Sequence, residues 1–252
     1  MIRTIPSLLK RSLLALTCCS LATLVVFGSQ KTEHEFPDVA KLPLQKGLPD
    51  PFLMPNGKRV STPRDWQKQR GYLKAMLANY MYGRIPPRPK EIEVKQVSSR
   101  RIFGEKGVEE RYSMTIRRKG KSVTCGFQLT RPIRKKRYPT VIKNDRVSFD
   151  DLPVNGPTPD SFDPGIEAIK RGYLLCRFNR TDLATDTRGA GREAGVYPLY
   201  PEYDWAALAV WGWGHGVILD ALDRLEVTDM SKVVATGHSR GGKAALCAGI
   251  YD

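Results

Sequence analysis

Lys232-Val-Val-Ala-Thr-Gly237-His238-Ser239-Arg240-Gly241-Gly242-Lys243-Ala-Ala-Leu246 is the stretch that decides the fold. A short run with two β-branched valines ends at Gly237, and an Ala/Leu-rich run, suited to a helix, starts after Ser239. Between them Gly237 to Gly241 spell G-x-S-x-G. A strand that turns directly into a helix through a serine leaves no room for side chains beside it, hence the glycines. The turn lifts Ser239 Oγ above the sheet edge. The helix N-terminus and the backbone N–H of Arg240 then point where a carbonyl oxygen would become an oxyanion. A phosphate loop is the competing reading, because Gly237, Gly242 and Lys243 match G-x-x-x-x-G-K. Ala244 stands where that loop needs a hydroxyl to hold magnesium, so nucleotide binding is not expected.

Working outward, the spacing predicts an α/β fold with a parallel sheet. Thr62 reads as an N-cap, with Pro63 and Asp65 in the first turn of a helix through Trp66, Leu73, Met76, Leu77 and Tyr80 that closes at Gly83. Tyr112, Met114 and Ile116, then Val123, Cys125, Phe127 and Leu129, alternate as two half-buried strands joined around Lys119-Gly120. Further strands are expected at Tyr138–Ile142, Tyr173–Phe178 and Lys232–Thr236, with a short helix at Pro164–Arg171. A long loop, Asn179–Tyr203, leads into a helix from near Asp204. Its apolar stripe is Leu208, Trp211, His215, Ile218, Leu222 and Leu225, which makes His215 a core residue. The glycines at 212, 214 and 216 read as close helix packing.

The first thirty residues have a different character. Arg3, Lys10 and Arg11 lead into an uncharged run, Ser12–Ser29, which predicts an export signal, or a retained anchor at the lower length limit for a membrane span. Cys18 and Cys19 fall in this segment. Cys125, Cys176 and Cys247 lack metal spacing and are expected to be buried core residues. The chain has 252 residues with 41 Lys+Arg against 26 Asp+Glu, a net charge of +15, and an ordinary globular composition that excludes disordered and disulfide-scaffold classes. Between Arg84 and Lys143 stand 18 Lys+Arg and 5 Glu, so this segment carries +13. Long basic side chains suit the solvent face of antiparallel strands. No nucleic-acid module or interleaving of aromatics accompanies them, so no nucleic-acid partner is expected.

Several segments together resemble the bacterial glucuronoyl esterases, carbohydrate esterase family 15, over roughly Leu48 to Asp252. They are Gly172-Tyr173, Phe178-Asn-Arg-Thr-Asp182, Tyr197-Pro-Leu-Tyr-Pro-Glu-Tyr-Asp-Trp205, Trp211-Gly-Trp213-Gly and Thr236-Gly-His-Ser-Arg-Gly-Gly-Lys-Ala244. The resemblance implies a three-layer α/β-hydrolase sandwich, exported to the periplasm or medium. It implies hydrolysis of esters between glucuronic acid on xylan and lignin alcohols, with no metal or other cofactor. By position, Ser239 matches the nucleophile, Arg240 the oxyanion stabiliser and Lys243 the residue that hydrogen-bonds the uronate hydroxyls. The implied partner is glucuronoxylan or a related uronic-acid polysaccharide ester, with no membrane contact beyond the signal or anchor.

The triad is incomplete in this sequence. A serine nucleophile needs a histidine base and a carboxylate to orient it, in chain order Ser, acid, His. After Ser239 there is no histidine and one acid, Asp252, and the only histidines are His34, His215 and His238. The strand before the expected oxyanion loop continues as Lys143-Asn-Asp-Arg, without Gly-Gly. The organisation expected is therefore an export signal or anchor at 1–29, an extended arm at 30–50, and an incomplete hydrolase domain at 51–252, truncated after the nucleophile turn and inactive alone. Two other readings remain: another exported α/β-hydrolase such as an acetylxylan esterase, or a non-catalytic protein that binds acidic polysaccharide.

Overall fold

The computed structural model describes residues 34–134, 136–146 and 163–251; the export-signal expectation lies outside them. Helix α1, Pro63–Leu77, starts at a reciprocal capping box. The Asp65 N–H donates to Thr62 Oγ1 at 3.1 Å, and the Thr62 N–H donates to Asp65 Oδ2 at 3.1 Å. It widens into a π-helical turn, Ala78–Tyr82, before Gly83. Residues 34–50 hold one 3₁₀ turn, Val39–Lys41. They lie along α1, where the His34 ring meets Tyr72 edge-on and Tyr80 Oη donates to the Pro37 carbonyl.

Strands β1 (Glu91–Ile102), β2 (Gly107–Arg118) and β3 (Lys121–Pro132) form an antiparallel meander. The β2–β3 hairpin turns at Lys119 and Gly120, both at positive φ, which suits the right-handed twist of the flanking strands. β1 was not anticipated from sequence. Its apolar residues are few, and a register shift between Gln96 and Ser98 throws Val97 outward, 67% exposed, which breaks the alternation.

The remaining strands are β4 (Tyr138–Asp145), β5 (Leu174–Asn179) and β6 (Thr228–Thr236). The sheet order is β1-β2-β3-β5-β4-β6, with β5, β4 and β6 parallel. Helix α2 (Pro164–Lys170) connects β4 to β5, and α4 (Ala207–Arg224) connects β5 to β6. The two crossovers run in opposite directions along the sheet, so a common right-handed sense places their helices on opposite faces. Side-chain alternation on β4 agrees. Val141 and Lys143 line a groove with α2 residues, whereas Asn144 faces His215 of α4. The result is the expected three-layer α/β sandwich.

Three boundaries differ from the sequence reading. β6 begins at Thr228, which pairs with Tyr138 ahead of a bulge where the Asp229 carboxylate accepts from the Ser231 N–H. The 179–203 connection contains a single helical turn, α3 (Arg180–Leu183), and a 3₁₀ turn at Tyr197–Leu199. α4 starts after Ala206, and Asp204 instead accepts from the Arg84 N–H at 2.8 Å.

α4 is the centre of the core, buried from Ala209 through Ile218. A Cβ at Gly212 would stand 3.0 Å from Cys247, and one at Gly214 would stand 2.6 Å from Leu183, so these glycines do permit close packing. Cys125, Cys176 and Cys247 are buried and unpaired. Four arginines of the basic segment pair with acids from the later part of the chain: Arg84 with Asp204, Arg88 with Asp220, Arg118 with Glu202 and Arg137 with Glu226. Among the described residues no helix is long and apolar enough to cross a membrane.

Candidate active site

β6 ends at Thr236, three residues turn, and helix α5 (Arg240–Tyr251) begins. Ser239 sits in that turn with φ of 52°, the left-handed region, which costs a non-glycine residue roughly 1–2 kcal/mol. The strain is held by the Gly241 N–H donating to the His238 carbonyl at 2.8 Å and the Lys243 N–H donating to the Ser239 carbonyl at 3.2 Å. Both flanking glycines are required by close approach. A Cβ at Gly237 would overlap the Gly241 carbonyl, and one at Gly241 would lie 2.5 Å from Asn144 Oδ1.

Asn144, at the carboxyl end of β4, is the strut beneath this turn. It is 1% exposed, and its Nδ2 lies 2.9 Å from the Gly241 carbonyl, 3.2 Å from that of Thr236 and 3.2 Å from His215 Nε2. Asn144 Nδ2 has no lone pair and shares its two hydrogens among these three neighbours, so His215 Nε2 accepts, and His215 Nδ1–H donates to the Trp211 carbonyl at 3.0 Å. That is the neutral imidazole. Burial lowers its pKa below the ordinary value, with backbone carbonyls opposing only in part.

Above the turn, Lys143, Asn144, Asp145, Arg146, Arg180, His238, Ser239 and Arg240 line a cavity of about 330 Å³. Four cationic side chains line it beside one carboxylate, Asp145, so the cavity favours negative charge. Burial works against ionisation of Asp145, yet hydrogen bonds from Lys143 and Arg177, both at 3.0 Å, outweigh it and hold the carboxyl below its usual range. Asp186 arrives from the loop after α3. Its side chain is 4% exposed and pairs with Arg240 Nη1 at 2.6 Å and Arg180 Nη2 at 3.2 Å.

The structure thus brings Ser239 and Arg240 into one cavity. Lys243 lies one turn along α5 and is exposed, and it is not among the residues lining the cavity. The Arg240 N–H has no acceptor among the described residues, which leaves it free for a ligand oxygen. Ser239 Oγ makes no hydrogen bond to a described residue, and none of the histidines is bonded to it. His34 packs on α1, His215 is committed to Asn144 and Trp211, and His238 also turns toward the groove beside α2. Among the described residues no group of three or more His, Cys, Asp and Glu is placed to hold a metal ion. Sequence reading missed Asn144, Arg180 and Asp186 as members of the site. Arg180 stood within a quoted segment, but nothing local marked Asp186.

Comparison with known proteins bears on this geometry. A family model described as "Glucuronyl esterase, fungi" matches residues 114–252, more than half of the chain. A 4-O-methyl-glucuronoyl methylesterase of Cerrena unicolor is 29% identical over 210 residues, covering 81% of this chain and 40% of its own. A multidomain esterase of Ruminococcus flavefaciens is 26% identical over 233 residues, covering 87% of this chain and 28% of its own. Among solved structures, a glucuronoyl esterase of carbohydrate esterase family 15 from Caldicellulosiruptor kristjansonii shares 27% identity. It superposes with a TM-score of 0.61 over 85% of this chain and 55% of its own. One from Solibacter usitatus gives a TM-score of 0.68 at 24% identity, over 84% of this chain and 62% of its own. The chain therefore spans about 40% of the length of the Cerrena relative. With its α/β-hydrolase fold and the match over more than half its residues, this chain belongs to the glucuronoyl esterase family, a family of carboxylic ester hydrolases.

Proposed function

We propose that this site is the nucleophile and oxyanion half of a serine esterase acting on esters of glucuronic acid carried by xylan. The observation that carries the reading is Ser239 held at φ 52° at the start of α5, with the Arg240 guanidinium anchored in the same cavity. Ser239 Oγ adds to the ester carbonyl carbon and gives its proton to a base, while the carbonyl electrons move onto oxygen. The Arg240 N–H and guanidinium meet that charge as it forms, so they stabilise the transition state more than the neutral ester. Collapse expels the alcohol, which takes up the proton. Water then repeats the cycle on the acyl-enzyme to release the uronic acid.

Lys243, one turn along α5 from Ser239, is assigned to the sugar hydroxyls. Its exposed position suits a group that meets a polymer from outside the cavity. An export segment at 1–29 and a catalytic region at 51–252 fit a polysaccharide substrate beyond the cytoplasm. No histidine among the described residues stands against Ser239, so these 252 residues bind the ester without turning it over. Titration calorimetry with methyl 4-O-methyl-glucuronate tests the assignment. Saturable binding that weakens about tenfold in both Arg240→Ala and Lys243→Ala is expected, corresponding to about 1.4 kcal/mol each. Equal affinity for methyl acetate, or indifference to both substitutions, overturns it.

A further inference from the structure

Arg240 is 54% exposed and begins a helix, a setting in which a long side chain ordinarily samples many rotamers. Here one of its two terminal nitrogens is bound 2.6 Å from Asp186 Oδ1, and Asp186 is itself almost inaccessible. The other Asp186 oxygen accepts from Arg180 Nη2 at 3.2 Å and lies 4.0 Å from Arg146 Nη1. Arg180 is rigid in turn. Its guanidinium stacks 4.8 Å above the Trp211 ring, and the Trp211 indole N–H donates to the Ala184 carbonyl at 2.8 Å. A line of fixed contacts thus runs from the core of α4 through Trp211, Arg180 and Asp186 to the side chain beside Ser239.

We propose that Asp186 is a positioning residue of the esterase site, aiming the Arg240 guanidinium at the ester carbonyl and supplying the counter-charge that lets Arg146, Arg180 and Arg240 crowd one cavity. The inference rests on the functional reading above. Arg240 presents five N–H donors, and one bonded to Asp186 leaves four for a ligand. Remove the carboxylate and Arg240, half-exposed and no longer tethered, is repelled by the buried Arg180 guanidinium and swings toward solvent. Asp186 touches neither substrate nor Ser239 in this scheme and acts only through Arg240.

Two readouts on the full 252-residue chain test this. In arginine side-chain NMR of the unliganded protein, Arg240 is expected to give resolved, slowly exchanging Nη signals that collapse to an averaged signal in Asp186→Asn and return in Asp186→Glu. In parallel, binding of methyl 4-O-methyl-glucuronate is measured for Asp186→Asn, Arg240→Ala and the double variant. Each single substitution is expected to weaken binding about tenfold, with the double variant no weaker than Arg240→Ala alone. A freely rotating Arg240 guanidinium in the unsubstituted protein overturns the proposal without need of any variant. So does an Asp186→Asn protein that folds, keeps the Arg240 signals and binds with unchanged affinity. If the unsubstituted protein binds no ester while Arg240 behaves as described, the functional reading fails and the tether stands. If it binds and Arg240→Ala weakens it but Asp186→Asn does not, the tether fails and the reading stands.

Discussion

Asn144 Nδ2 lies 2.9 Å from the Gly241 carbonyl oxygen, so an amide at the end of β4 grips the first turn of the helix that follows Ser239. The same amide reaches the Thr236 carbonyl on the strand side. The serine is thus held from both of its flanks by one buried residue, which is how a strained φ at an exposed position persists.

The closeness of that grip predicts an asymmetry among glycines of one helix. Gly241→Ala forces a Cβ to 2.5 Å from Asn144 Oδ1 and should cost about 1–3 kcal/mol of unfolding free energy. Gly249, also in α5, has nothing within 4 Å of a built Cβ, and its alanine variant should be neutral or stabilising by up to about 1 kcal/mol. Urea unfolding of the two variants checks the difference, and equal effects would dismiss the strut.

His215 predicts a pH dependence. Burial lowers its native pKa beneath the ordinary 6.5, so the unfolded chain accepts a proton that the folded ring refuses. The stability contributed by the neutral ring is therefore complete above about pH 6.5 and declines as pH falls toward the native pKa. Between pH 6 and pH 5 the unfolding free energy should fall by up to about 1.4 kcal/mol per pH unit from this group. His215→Gln should flatten that part of the stability profile. A slope identical in both proteins would count against the buried neutral imidazole.

Two ion pairs of the meander predict opposite sensitivities. Arg131 and Glu110 make a two-pronged pair, with Nη2 to Oε1 at 2.8 Å and Nε to Oε2 at 3.0 Å, and their side chains are only 7% and 10% exposed. Glu110→Ala leaves a buried guanidinium unpaired and should destabilise by about 3–5 kcal/mol. Arg117 and Glu93, at 53% and 40% exposure, pair in solvent, and Glu93→Ala should leave the unfolding midpoint nearly unchanged. Thermal unfolding of both variants in the same buffer separates them.

What could be read from sequence follows from where each feature's cause lies. The turn at Ser239, the capping box at Thr62 and the β2–β3 hairpin are local, each set by residues within one turn or one pair of strands. β1 was illegible because Ile92, Val94, Val97 and Ile102 are its only apolar side chains, and its bulge throws Val97 out of the alternation. Asp186 was illegible for a different reason. Its role exists only because the loop after α3 folds back over the start of α5, and no pattern around Ala184-Thr-Asp186-Thr signals that. His215 was legible as core, but its bond to Asn144 was not, since a helical stripe says which side is buried and nothing about what waits there.

Hydrolysis of methyl 4-O-methyl-glucuronate by the 252-residue chain, followed as acid release over time beside a Ser239→Ala control, tests most directly whether these residues hold the nucleophile without a base. Rates equal to the control and to buffer are expected, in a protein that nonetheless binds the ester saturably. Turnover that saturates with ester concentration and vanishes in Ser239→Ala would contradict it.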